Sequence, residues 1–176
     1  MTRSVLAALV ASCLSIPALY AQSKPELPAS ATTCGPSDTL SQLITSLDEA
    51  VSGPADKDRA CLRQLLLPEA RLIPVAVAAD GTATPHFLTV DGWIEAVRKR
   101  GHEAFYEHLI KFQSEIYGHI AHLWSTYEIR PTPDGQTVAR GINSIQAVFN
   151  GKQWHVLQIL WQAETPTAPI PGKYLP

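Results

Sequence analysis

Between Phe105 and Ala163 the chain reads as four long β-type runs separated only by turn chemistry. The runs lie at about Phe105 to Tyr117, Ile120 to Arg130, Thr137 to Phe149 and Gln153 to Ala163. Gly118, the segment Pro131 to Gly135 (PTPDG) and Asn150-Gly151 break them. Each break is a turn former, too short for a crossover, so consecutive runs are antiparallel neighbours. Such a sheet has to bury one face, and the text before it has to supply the cover.

That text is largely helical. Leu40, Leu43, Ile44, Leu47 and Val51 form one apolar stripe behind Asp38, an N-cap type, and Gly53-Pro54 ends the helix. Asp56 or Asp58 opens a second, shorter helix through Cys61, Leu62, Leu65 and Leu66, stopped at Pro68. Ala70 to Ala78 reads as a strand, turned back at Ala79 to Gly81. Thr82 to Leu88 is a short partner for it, restricted to an edge by Pro85. Thr89 caps a third helix carrying Trp93, Ile94 and Val97 and ending at Gly101. The order α-α-β-β-α-β-β-β-β is an α+β pattern. Residues 165–176 are proline-rich and should run extended over the surface.

The 176 residues suffice for one core, and 45% apolar with 17% charged residues excludes a disordered chain. At net charge −2, the short run Arg98-Lys99-Arg100 reads as a solvated helix end, so nucleic acid is not an expected partner. Arg3 followed by the apolar Val5 to Ile16 reads as a signal peptide over residues 1–21, cleaved after Ala21. The alternative is a lipoprotein anchored at Cys13 in "VASC". No other segment is long and apolar enough to span a membrane. The expected destination is the periplasm or the exterior, with 22–37 as a linker and 38–164 as the folded domain. Cys34 and Cys61 then form a disulfide candidate, against a free thiol in the linker and a buried cysteine on the second helix.

The succession "GHIAHLWSTYE" (Gly118 to Glu128) and "RGINSIQAVFNGKQWHVLQILWQAE" (Arg140 to Glu164) resembles the nuclear transport factor 2-like (NTF2-like) superfamily, in its SnoaL-like branch. Gly118, Ala121, Trp124, Tyr127, Gly141, Ser144, Gln146, Trp154 and Trp161 carry the likeness. The resemblance implies a curved antiparallel sheet wrapped around helices as a cone with a pocket inside. It does not imply one activity, because the superfamily includes isomerases, cyclases, dehydratases and non-catalytic modules.

Enzymes of this kind need a pocket carboxylate whose proton affinity burial can raise. Strict alternation places none inside. In Glu107 to Tyr117 the more apolar set is His108, Ile110, Phe112, Ser114 and Ile116, which puts Glu107 and Glu115 on the opposite face. Glu128 shares a face with Trp124 and Thr126, away from Ala121, Leu123, Tyr127 and Ile129. Asp48 lies on the first helix, Asp38 and Asp91 at helix starts, and Asp80 and Asp134 in turns. His108 is thus the inward titratable group, with Tyr127 as its partner in the catalytic alternative. His119 and His122 point to opposite faces, and His86, His102 and His155 are scattered, so neither a metal nor a cofactor is implied.

The expected pocket is lined by Trp93, His108, Phe112, Tyr127, Asn143 and Trp161 and holds a small apolar or aromatic ligand without catalysis. The alternative is an isomerase, cyclase or dehydratase centred on His108. The last hairpin reads as a wall. A two-residue turn at Asn150-Gly151 pairs Phe149 with Lys152 and puts Trp154 on the face of Ala147. The apolar pattern favours His155, Leu157, Ile159 and Trp161 instead, which needs a three-residue loop or a bulge, and the sequence leaves both open. Apolar groups on both faces of the late strands point to a homodimer through the outer sheet face.

Overall fold

A strip of apolar residues along one helix and a sheet that must cover it define the architecture. The computed structural model describes residues 34–176 apart from His102. The expected signal peptide over 1–21, Cys13 and the linker up to residue 33 lie outside the described residues. Helix α1 spans Leu40–Val51 and buries Leu40, Leu43, Ile44, Leu47 and Ala50. Its cap is Thr39 rather than Asp38, and Thr39 and Gln42 form a reciprocal capping box. Helix α2 spans Ala60–Leu65, and a disulfide joins Cys61 to Cys34, ahead of α1.

Between the two helices Arg59 is 1% exposed. Its guanidinium donates to the carbonyl oxygens of Val51, Pro54, Ala55 and Lys57. It therefore satisfies the carbonyls left where α1 ends, and its charge opposes the negative end of the helix dipole.

Strand β1 (Leu66–Val77) begins earlier than expected and contains Pro68. Its register against the last strand shifts between Leu66 and Arg71, so Pro68 falls where the ladder is already broken. Edge strand β2 (Ala83–Pro85) pairs back on β1. Helix α3 (Val90–Arg98) is capped by Thr89, as the sequence indicates. Strands β3 (Tyr106–Tyr117), β4 (Ile120–Arg130), β5 (Ala139–Phe149) and β6 (Trp154–Ala163) follow. Among the described residues the six strands form one sheet in the order β2-β1-β6-β5-β4-β3, antiparallel except where β1 runs parallel to β6. The element order is the α+β order read from the sequence.

Ala121, Leu123, Ser125 and Tyr127 of β4 face the helices, opposite Ala147, Ile145, Asn143 and Gly141 of β5. The flanking strands are less regular. In β3, Leu109 pairs with Tyr127 and Lys111 with Thr126, which leaves Ile110 as an extra residue. In β6, Gln146 pairs with Gln158 and Ala147 with Val156, which leaves Leu157 extra. Each bulge reverses the facing of its strand midway. Phe149 pairs with Trp154, so the hairpin loop is four residues rather than two, with the Asn150 side chain accepting from the amides of Lys152 and Gln153. Trp154 and Val156 before the bulge, and Ile159 and Trp161 after it, all turn inward. The two-residue turn is thus overturned, and so is the inward facing of His155 and Leu157, while Trp154 on the face of Ala147 and the inward Ile159 and Trp161 stand.

The C-terminal tail crosses the outer face. The Glu164 carboxylate accepts from the amide of Ile170 at 3.0 Å, and Ile170 is buried. Thr126 donates to the carbonyl of Tyr174 at 2.9 Å, Lys111 to that of Leu175 at 2.7 Å, and the Tyr174 ring packs on Trp124 with centroids 5.7 Å apart. Part of the face expected to await a second copy is thus covered by the chain itself.

Candidate functional site

Strand β3 is an edge strand, and its start would leave a row of unpaired amides and carbonyls. The C-terminal end of α1 closes that row. Gly53 and Phe105 exchange backbone hydrogen bonds of 2.7 and 3.2 Å. The Ser52 hydroxyl accepts from the Glu107 amide at 2.8 Å and donates to its carbonyl. The Asp48 carboxyl accepts from the amide of Leu109. Residues 105, 107 and 109 are thereby pinned in alternation to the helix, and the Ile110 bulge follows at once.

The consequence is that Glu107 faces inward. It lines a cavity of about 200 Å³ between α1, α3 and the inner sheet face. Trp93 and Phe105, packed edge to face with centroids 6.3 Å apart, form one wall. Val51, Leu72, Ile129, Ile159 and Trp161 supply the rest of the apolar lining. Tyr127, Asn143 and Arg100 complete it with polar groups.

The Asn143 amide donates to Glu107 Oε1 at 3.0 Å, fixing that carboxyl from the neighbouring inner position. Burial nevertheless raises the Glu107 pKa to about 7, with the Asn143 hydrogen bond pulling the other way. Asp48 is raised to about 8, first by burial and then by the negative charge of Glu107, against the lowering effect of the Leu109 amide. Both carboxyls are thus held well above the ordinary carboxylate range, and a charge on Glu107 opposes ionisation of Asp48. Burial, with Glu107 behind it, also holds the Tyr127 phenol above its ordinary range, so it stays protonated. Tyr127 crosses Gly141, its pairing partner, where a side chain would leave no room for its hydroxyl. That hydroxyl makes no hydrogen bond among the described residues and is free to donate to a bound molecule.

Of the residues read as pocket-lining from the sequence, Trp93, Tyr127, Asn143 and Trp161 line this cavity. His108 does not. It stands on the outer face opposite Glu128, with Nε2 buried and unpartnered. Phe112 follows the bulge and packs against the core outside the cavity. The pair His108 and Tyr127 is thus split between two faces, and the interior does hold a carboxylate, Glu107. Alternation could not find it, because a bulge one turn of the pleat away leaves no mark in residue type. Asp48 had a signal, since it sits four residues beyond Ile44, inside the apolar stripe of α1. Among the described residues no cluster of three or more His, Cys, Asp or Glu is placed to hold a metal ion.

No protein-family model matches the sequence, and no curated protein matches it either. Solved structures do match its shape. The CaMKII hub of S. rosetta is similar over 74% of this chain and 98% of its own, at 14% identity and a TM-score of 0.53. A protein of unknown function with a cystatin-like fold from Nostoc punctiforme covers 73% of this chain and 90% of its own, at 9% identity and a TM-score of 0.54. An NTF2-like protein of unknown function from Shewanella baltica covers 71% and 90%, at 13% identity and a TM-score of 0.51. With helices α1 to α3 held against a curved six-stranded sheet, this chain has the NTF2-like fold.

Proposed function

We propose that the cavity binds a small, mostly apolar molecule carrying a polar oxygen, and that Glu107 exchanges a proton with it. One observation carries this reading: the Glu107 carboxyl faces the cavity, held by Asn143, with a pKa of about 7. Such a group is half ionised at neutral pH and can both accept and return a proton. The reaction class that fits is proton removal next to a carbonyl. Glu107 takes the proton, the C–H electron pair moves onto the carbonyl oxygen, and the Tyr127 hydroxyl holds that oxygen by a hydrogen bond. Return of the proton to the same or a neighbouring carbon gives exchange or isomerisation. The test uses 2-indanone and cyclohexenone in D₂O, with α-proton exchange followed by NMR. The wild-type chain accelerates exchange above buffer, and Glu107→Gln loses roughly 100-fold of that acceleration, the usual scale for a general base. Binding of the ketones without exchange would leave a carrier in place of an enzyme.

The disulfide supports an oxidising destination for the chain, as export would give it. No helix among the described residues is long and apolar enough to cross a membrane. The half of the outer sheet face that the tail leaves open exposes Tyr117 at 84%, Ile120 at 60% and Leu157 at 45%. That patch favours a homodimer. A monomeric mass by light scattering at micromolar concentration would contradict it.

A further inference from the structure

The basic run at the end of α3 is not uniformly solvated. Glu95 takes Arg98 at 2.8 Å and Lys99 at 3.9 Å, both on the helix surface. Arg100 is left over. It has no carboxylate partner among the described residues, and it lines the cavity. Its guanidinium lies 5.6 Å from the centroid of Phe105, itself a cavity wall. Behind the same wall Arg59 is buried, 5.8 Å from the ring of Trp93 and 6.0 Å from that of Phe105. The two guanidiniums are close enough that Arg100, after burial, helps to hold Arg59 below its ordinary range. Arg59 is committed to four backbone carbonyls. Arg100, exposed at the mouth, keeps its donors available.

The cavity is therefore polarised. Its exposed end carries an uncommitted cation on an aromatic wall, and its interior carries the protonatable Glu107 beside Asn143 and Tyr127. Resting on the proton-transfer reading of the same cavity, we infer that the ligand is a small aromatic or cyclic carboxylate, bound with its anionic group on Arg100 and its body between Phe105 and Trp161. A guanidinium suits this role because its planar fork matches a carboxylate and its face stacks on a ring. Size fits as well. At the packing density of protein interiors the cavity holds about 150 Å³ of ligand, on the order of ten heavy atoms.

The test compares phenylacetate with phenylacetamide, its neutral isostere, by NMR titration of the full chain at low salt. Phenylacetate is expected to bind at least tenfold tighter. Arg100→Gln should cut its affinity about tenfold and leave phenylacetamide within twofold. Arg98→Gln, which removes the same charge from the same helix end outside the cavity, should leave the preference intact. Equal affinities in the wild type, or an equal loss in Arg98→Gln, would overturn the inference. Glu107→Gln separates the two readings, because it abolishes ketone exchange while the preference for phenylacetate persists. A carboxylate preference without ketone exchange would sink the proton-transfer reading alone. If neither isostere binds, the carboxylate inference fails, and ketone exchange still decides the proton-transfer reading on its own.

Discussion

Two kinds of strand meet in this sheet, and they differ in how they face the cavity. The central pair, β4 and β5, runs without interruption, so every second residue from Ala121 to Ile129 and from Gly141 to Ala147 looks inward. The flanking strands β3 and β6 each carry a bulge, and each presents one alternate set at one end and the other set at the other. The regular strands supply Tyr127 and Asn143, and the bulged ones supply Glu107 and Trp161. The chemistry of the cavity therefore depends on the irregular pair. A smooth β3 of the same length could keep Phe112 on the core or Glu107 in the cavity, but not both.

The most direct way to break this contrast is to remove the bulge. Deletion of Ile110 takes out the one β3 residue without a β4 partner, so Leu109, Lys111 and Phe112 keep theirs and the strand runs in one alternation with Glu107, Leu109 and Phe112 all still inward. The variant should fold, and Glu107→Gln in its background should still cost roughly 100-fold of the ketone exchange, the general-base scale. A folded deletion variant whose exchange no longer depends on Glu107 would show that the register of β3 does not set the facing of that carboxyl.

The regular pair has its own weak point. Gly141 lies beneath Tyr127, and a side chain there would meet its hydroxyl and come within 2.5 Å of the Gln162 carbonyl. Gly141→Ala should cost roughly 1–3 kcal/mol, the usual range for overpacking. It should also shift the Tyr127 ring resonances. An unchanged Tyr127 spectrum in a stable variant would contradict the close packing.

How much of this was legible follows from the same contrast. Element order, the Thr89 cap and the facing of β4 could be read because local propensity and a period of two decide them. The position of Tyr127 and Asn143 on the inner face came from the regular strands. Strict alternation puts Glu107 on the wrong face because it runs on through Ile110, where pairing with β4 slips by one residue. That slip accompanies contacts distant in sequence, with Asp48 of α1 and the Ser52 and Gly53 that follow it bonding residues 109, 107 and 105 on one edge. His108 took the inward place only by that same error. In β6 the two patterns conflicted, and the conflict itself was the trace of the bulge at Leu157. The cap of α1 moved from Asp38 to Thr39 because the Gln42 side chain reaches back to Thr39 and completes the box.

The pinning of β3 by α1 predicts a pH dependence. Asp48 and Glu107 both have raised pKa values in the folded chain. Their stability contribution is complete below the unfolded carboxylate range near 4 and is lost as pH rises through about 7 for Glu107 and about 8 for Asp48. The wild type should be less stable at pH 9 than at pH 5 in urea denaturation. Asp48→Asn, which keeps an acceptor for the Leu109 amide, should remove most of that difference, on the order of 3 kcal/mol. An equal loss between pH 5 and pH 9 in both proteins would separate Asp48 from the effect.

The smallest expected effect belongs to His108. On the outer face it has no route to the cavity, so His108→Gln should leave ketone exchange within about twofold of the wild type, far below the general-base scale. A loss matching that of Glu107→Gln would return His108 to the interior and undo the β3 assignment.

The central claim is that the bulge in β3 turns Glu107 into the cavity. It is tested most directly by following the side-chain carboxyl carbons of ¹³C-labelled protein by NMR from pH 3 to pH 10, with Glu107→Gln identifying the resonance. An inward Glu107 titrates near 7, well above an ordinary glutamate. A midpoint near 4.5 would mean that the carboxyl stands in water on the outer face, and the account of the site would fail with it.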